Sequence, residues 1–390
     1  MEQQINNNSD TVKTKSSSYQ FWFFALLSIF LIVTFVYYLP LRFRTSGDDR
    51  GHNDAAMMDD HHGDDMMDDD HAHEDDLPSV ETLSKLSLRT PKDATEKLSF
   101  TLAQDGVKEF TLVASEFRWE MADGTWTHVW GYNGQIPGPE IRVNEGDKVR
   151  VIVRNNLPDS TSVHWHGIDV PWQADGVPGV TQQAIKPGEE FVYEFTADPA
   201  GTHFYHTHGK DHETAAQQLD MGLSGAFIIA PSSPSYSHDR DFTLVLDEWN
   251  VMPNGQNMSA MHGHGAFSDE MMHDQYNAFT INGRVFPDTT PIDIEQGETI
   301  LIRFINAGTS AFHPMHLHGH NFKVVAMDGN PIPAASVETR NTITVHPGET
   351  ADILVEANNP GPWLLHCHHV HHAAAGMTTL FQYEGYAPIE

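Results

Sequence analysis

The chain has 390 residues, with 54 acidic against 22 basic side chains and a formal net charge of −32. That balance excludes a nucleic-acid partner gripped through its phosphates, and a single cysteine excludes an internal disulfide. The length allows two domains with sizeable cores, and 26 histidines beside 15 methionines point towards transition-metal chemistry.

Residues 1–20 are polar and read as a cytoplasmic N-terminal segment. An uncharged apolar run over 21–39 follows and stops at Pro40. At roughly 1.5 Å per residue it reaches roughly 29 Å, about one hydrocarbon core. It is longer than the core of a cleaved signal peptide and lacks a small-x-small cleavage site. A transmembrane anchor over 21–41 is therefore expected. Lys13 and Lys15 precede it while Arg42 and Arg44 follow it, so basic residues give no orientation. The bulk of the chain is placed outside the cytoplasm on its metal chemistry alone.

Residues 48–76 are low in complexity, rich in Asp and His, with the pairs Met57-Met58 and Met66-Met67. Such a composition cannot bury enough surface to fold. A disordered Asp/His/Met-rich linker is expected over 42–97. His62, His71, His73 and the thioethers could also collect Cu(I) weakly.

From about Leu98 the texture changes to short β-rich runs broken by Gly, Pro and Asn. They fall at 108–120, 140–143, 148–155 and 190–195, then at 242–248, 279–281, 299–305, 342–345 and 351–356. Helical periodicity is scarce. The expected fold is all-β, two antiparallel sandwiches or barrels.

The two halves repeat each other. Asn133-Gly134 matches Asn282-Gly283, and Glu145-Gly146-Asp147 matches Gln296-Gly297-Glu298. His164-Trp165-His166-Gly167 matches His316-Leu317-His318-Gly319, Pro187-Gly188-Glu189 matches Pro347-Gly348-Glu349, and His206-Thr207-His208 matches His366-Cys367-His368. Domain 1 is set at 98–232 and domain 2 at 239–390.

Four His-x-His pairs result: His164/His166, His206/His208, His316/His318 and His366/His368. On a strand, each pair puts two imidazoles on one face. Eight imidazoles are too many for one zinc ion. They suit several coppers that share a small molecule such as dioxygen. Cys367 is followed by His372 and Met377. A thiolate, an imidazole and a thioether, with His313 as a second imidazole, suit copper in a trigonal site with a weak axial methionine. On a strand Cys367 faces away from His366 and His368, so one strand would touch two metal centres. Thr207 holds the place of Cys367 in the first half, and a hydroxyl cannot supply a soft thiolate.

These motifs, over about 108–385, resemble the four copper motifs of the multicopper oxidases. The resemblance implies two cupredoxin-like Greek-key domains, a two-domain member of laccase-like or cuprous oxidase type. It implies four coppers per functional unit and one-electron oxidation of a reductant coupled to reduction of dioxygen to water. By the motifs, His313, Cys367, His372 and Met377 would bind type 1 copper. His164 and His316 would bind type 2 copper. His166, His206, His208, His318, His366 and His368 would bind the type 3 pair. Asp175 sits where the family often has an acid that moves protons to the cluster. The chain departs from many members in having no acid between Cys367 and Gly376-Met377. His369 and His371 there read as solvated surface residues. The resemblance also implies a homotrimer, in which domain 1 of one chain meets domain 2 of the next.

Two rival readings are a copper nitrite reductase and a non-enzymatic copper-binding protein of the cell surface. The reductant stays open among phenols, Cu(I) and other metal ions. The segment 251–274 holds Met252, Met258, Met261, Met271 and Met272 with His262, His264 and His273. Soft thioethers favour Cu(I), so a cuprous oxidase serving copper homeostasis is expected.

Overall fold

Residues 108–122 place apolar side chains at alternate positions, and every second residue from Phe110 to Ala114 lies in a core. The computed structural model describes residues 78–90, 96–261 and 276–388. The anchor expected at 21–41 and the acidic stretch before residue 78 lie outside these. Among the described residues, no helix is long and apolar enough to cross a membrane.

The first half runs β1 (Leu88–Arg89), β2 (Thr101–Leu102), β3 (Lys108–Ala122), β4 (Thr125–Tyr132), β5 (Gly138–Asn144), β6 (Lys148–Asn155), β7 (His164–His166), β8 (Glu190–Thr196), β9 (Gly201–His206) and β10 (Ser224–Ala230). One sheet is ordered β1-β3-β6-β8, with β2 and β4 also on β3; the other is β5-β10-β9-β7. Phe110, Val151, Tyr193, Trp165, Tyr205 and Phe227 fill the space between them.

The second half runs β11 (Arg240–Trp249), β12 (Ala278–Ile281), β13 (Ile292–Ile294), β14 (Thr299–Asn306), β15 (His313–Leu317), β16 (Phe322–Met327), β17 (Asn330–Pro331), β18 (Glu338–Arg340), β19 (Thr342–Val345), β20 (Thr350–Glu356), β21 (Pro362–Cys367) and β22 (Thr378–Tyr383). Its sheets are β12-β11-β14-β20-β16-β17, with β18 on β16, and β13-β22-β21-β15-β19. Leu246, Phe304, Ile353, Leu317, Leu365 and Phe381 pack between these two. Each such side chain contributes roughly 1.5–3 kcal/mol when fully buried.

Neither half is purely antiparallel, contrary to the expectation from the sequence. β3 and β6 pair in parallel, as do β5 and β10, and β11 and β14. The chain crosses to the opposite sheet between β3 and β6 and returns in the same sense.

Part of the stretch expected as a linker also carries structure. Ser79 caps helix α1 (Val80–Ser84), Leu83 is buried, and β1 pairs with β3 through Leu88 and Arg118. A buried leucine and a free strand edge order these residues despite their polar surroundings. Helix α2 (His212–Asp220) follows β9, opened by a capping box from Asp211. Helix α3 (Val370–Ala374) follows β21.

The outer face of the β5-β10-β9-β7 sheet packs on the outer face of the β11-β14 pair. Phe204 and Ala226 meet Val245, Ile305 and Ala307 there. Beside them Arg303 bonds Thr202 at 2.8 Å and Asp352 at 3.0 Å, and Thr202 bonds Asp352 at 2.7 Å.

Candidate metal centres

β15 and β21 pair antiparallel, with Met315 opposite Cys367 and His316 opposite His366. The two-residue period sends Met315, Leu317, Leu365 and Cys367 into the core and the histidines to the outer face. Cys367 Sγ lies 3.9 Å from His313 Nδ1 and 3.6 Å from His372 Nδ1, and the two nitrogens are 3.3 Å apart. The turn of α3 brings His372 back over the cysteine. Met377 is fully buried beside them. Its N–H donates to the His372 carbonyl, and its own carbonyl accepts the Cys367 N–H, both at 3.0 Å. Burial pushes the Cys367 thiol up to about 11. Burial, then the neighbouring His313, pushes His372 down to about 3. Two imidazole nitrogens and a buried thiol thus converge on one point, a donor set that a soft cation would complete. The His372 ring stacks on Phe279 and on His369, each at 3.9 Å between centroids. His369 is exposed, as expected, but it also touches this centre.

Domain 1 gathers its four histidines in the same way. His164 on β7 sits opposite His206 on β9. The His164 ring lies 5.8 Å from His166, 5.3 Å from His206 and 5.8 Å from His208. Nδ1 of His166 is 3.3 Å from Nε2 of His206. His206 Nδ1 donates to the Thr207 carbonyl at 2.8 Å, and His164 Nδ1 to the Asp175 carbonyl at 2.8 Å. A ring N–H tied at Nδ1 leaves the Nε2 lone pair for a metal. Burial, then His164, pushes His166 down to about 4 and His206 to about 3.

Domain 2 repeats the pattern. His318 Nε2 is 3.0 Å from His366 Nε2, and the His316 ring lies 5.0 Å from His318 and 5.6 Å from His368. His316 Nδ1 donates to the Asn341 carbonyl at 2.7 Å, and His366 Nδ1 to the Cys367 carbonyl at 2.9 Å. Burial and neighbouring imidazoles lower both His318 and His366.

Asp175 ends the 3-10 turn Trp172–Ala174, and its Oδ1 is 3.2 Å from His164 Nδ1. The next residue must be glycine. Gly176 has φ +85°, and a Cβ there would fall 1.8 Å from the Val163 carbonyl oxygen.

The counterpart of the cysteine site in domain 1 holds a neutral hydrogen-bond triad. The Thr161 and Thr207 hydroxyls lie 3.1 Å apart, and each donates to Gln218 Oε1 at 2.7 Å. Thr207 was expected as the stand-in for Cys367; Gln218 and Thr161 were not. The repeat contained the signal for Thr161, which precedes His164 by the interval that separates His313 from His316. Glu248, fully buried on β11 with Oε2 3.5 Å from His313 Nε2, also escaped sequence reasoning.

Models of the multicopper oxidases match residues 114–234 and 251–385. Laccase-15 of Oryza sativa subsp. japonica is 34% identical over 249 residues, covering 58% of this chain and 38% of that protein. The chain spans well under half the length of the curated relatives it matches. The crystal structure of a blue copper oxidase from Nitrosomonas europaea superposes with a TM-score of 0.63 at 33% identity, covering 71% of this chain and 86% of that one. A copper nitrite reductase from Nitrosomonas europaea superposes with a TM-score of 0.59 at 26% identity, covering 70% and 93%. The backbone alone therefore does not separate these two activities. Both family models, one on each half, are of multicopper oxidases, and this chain belongs to that family, whose cofactor is copper in type 1, type 2 and type 3 sites.

Proposed function

We propose that the chain is an oxidase that takes single electrons from a small reductant and reduces dioxygen to water, built of domain 1 at 98–232 and domain 2 at 239–390. The observation that carries this reading is the pair of donor sets that meet on one strand. Cys367 points into the core towards His313 and His372, while its neighbours His366 and His368 point outwards. In this reading His313, Cys367, His372 and Met377 hold type 1 copper. His164 and His316 hold type 2 copper, and the other six histidines hold the type 3 pair. Copper bound there would supply one-electron oxidation and dioxygen reduction. The residues supply geometry: backbone carbonyls lock the ring tautomers, Phe279 and His369 hold His372 in place, and Asp175 Oδ1 orients His164 and can carry a proton past it to the cluster. Cys367→Ser tests the assignment. The blue absorption and nearly all oxygen uptake should vanish while part of the copper stays bound. A blue Ser variant would sink the type 1 assignment.

The reading includes a homotrimer, extracytoplasmic catalytic domains and a membrane anchor at 21–41. A head-to-tail contact between domain 1 of one chain and domain 2 of the next closes into a ring. Alkaline extraction of membranes checks the anchor; release of the full chain into the wash would count against it.

For the reductant we favour Cu(I). The 3-10 helix Met258–Met261 opens the methionine-rich segment, and its Ala260 carbonyl is tied to Gln217 Nε2 of α2 at 2.8 Å. Residues 262–275, with Met271 and Met272, lie outside the described residues. Replacing Met258, Met261, Met271 and Met272 by Leu should lower oxygen uptake with Cu(I) several-fold and leave uptake with a small phenol equal or higher. The matched relatives named laccases favour a phenol as the second reading. Unchanged Cu(I) uptake with reduced phenol uptake would put that reading first.

A further inference from the structure

We infer that Glu248 is a positioning residue that sets the tautomer and the donor strength of His313. The inference rests on the reading of His313 as a type 1 ligand. Glu248 is fully buried on β11, and three donors from the loop just before His313 hold one of its oxygens. Oε1 accepts the Ser310 N–H at 2.8 Å, the Ala311 N–H at 3.0 Å and the Ser310 hydroxyl at 3.3 Å. The second oxygen, Oε2, is left facing His313 Nε2 at 3.5 Å, and neither atom has another hydrogen-bond partner among the described residues. His313 is itself fully buried, with its other nitrogen, Nδ1, turned to Cys367 and His372.

A neutral imidazole carries one N–H and one lone pair. A carboxylate oxygen can only accept, so the N–H belongs at Nε2 and the lone pair at Nδ1. That is the tautomer the cysteine site needs. A ligating imidazole whose far N–H meets a carboxylate is also a stronger donor to its metal. Gly308 makes the arrangement possible: a Cβ there would lie 2.0 Å from Glu248 Oε2 and 2.5 Å from its Cδ. Carboxylate, glycine and loop amides thus form one built contact on the side of His313 away from the cysteine.

The test uses the copper-loaded full chain and two variants, Glu248→Gln and Gly308→Ala. The first removes the charge, and the second pushes the carboxylate off His313. Readouts are the blue absorption, its electron spin resonance splitting and the type 1 midpoint potential. Both variants should stay blue, because Cys367, His372 and Met377 are untouched. In both, the midpoint should rise by at least a tenfold bias towards the cuprous form, about 59 mV for one electron. A smaller shift in both blue variants overturns the inference alone. Loss of the blue band in both would mean that Glu248 holds the fold rather than tunes the ligand, and it also overturns the inference. If Glu248→Gln does not fold, Gly308→Ala decides. A wild-type chain with no blue band overturns the ligand reading, and the inference falls with it.

Discussion

At the residue scale, the two halves solve one packing problem with different chemistry. Where domain 2 points Cys367 and His313 at each other, domain 1 points Thr207 and Thr161 at Gln218. All three residues of the triad are fully buried, and the Thr207 hydroxyl also accepts the Gly209 N–H at 2.9 Å. Thr207→Ala would strip that N–H of its acceptor and leave Gln218 short of one donor. A buried group left unsatisfied costs about 1–3 kcal/mol. Chemical denaturation of the variant should read a loss of that size with the copper content unchanged; a loss below about 0.5 kcal/mol would show the triad to be spare. The candidate metal ligands were legible because their spacing is short and repeated: His-x-His pairs on strands, then Cys367, His372 and Met377 within eleven residues. Glu248 and Gln218 were not legible. Each meets its partner only across sheets or after a helix, and a lone Glu or Gln carries no spacing signal.

At the element scale, strands with one face in the core showed themselves by alternation, as β3 and β6 do. β4 and β10 did not, because both faces are covered and burial runs unbroken from Thr127 to Tyr132 and from Ser224 to Ile229. Helix α2 was missed because Thr214 and Gln217 face inwards where an apolar stripe would be sought. The same burial that hid β4 has an electrostatic consequence on β7 and β9. In the unfolded chain a histidine takes a proton near pH 6.5. Folding lowers His166 to about 4 and His206 to about 3, first through burial and then through His164. The unfolded state therefore binds more protons below about pH 6.5, and stability falls with pH from there towards about 3. For the copper-free protein, the urea midpoint should be level above pH 7 and drop between pH 6.5 and 4. His318, His366 and His372 are lowered too and add to the same slope, so a His166→Gln, His206→Gln double variant should make the profile shallower. A wild-type midpoint unchanged from pH 7 to pH 5 would count against buried neutral imidazoles.

At the scale of the whole molecule, the two quartets occupy different sides of domain 2. The domain 1 quartet shares its sheet face with Phe204, which stacks on His166 at 4.3 Å and packs against Val245 and Ile305 of β11 and β14. The domain 2 quartet lies on the outer face of β15 and β21, beyond the core that separates that sheet from β11 and β14. Two packed sheets stand about 10 Å apart, so one chain keeps its quartets on opposite sides of its own sandwich. On the proposed reading, a cluster that draws on both quartets would then need a second chain. Exposed apolar residues include Trp172, in the 3-10 turn that Asp175 ends, and Leu364, two residues before His366 on β21, as a partner surface would require. Complementation separates this from pairing within a chain. A His206→Ala, His208→Ala chain and a His366→Ala, His368→Ala chain should each be inactive alone. In a three-membered ring that holds both chains, a domain 1 from the second meets a domain 2 from the first at one contact, about a third of the total. Co-expression with two different tags, and purification through both, should therefore recover part of the oxygen uptake. If each chain used its own two quartets, the doubly purified assembly would stay inactive, because every chain in it is broken on one side.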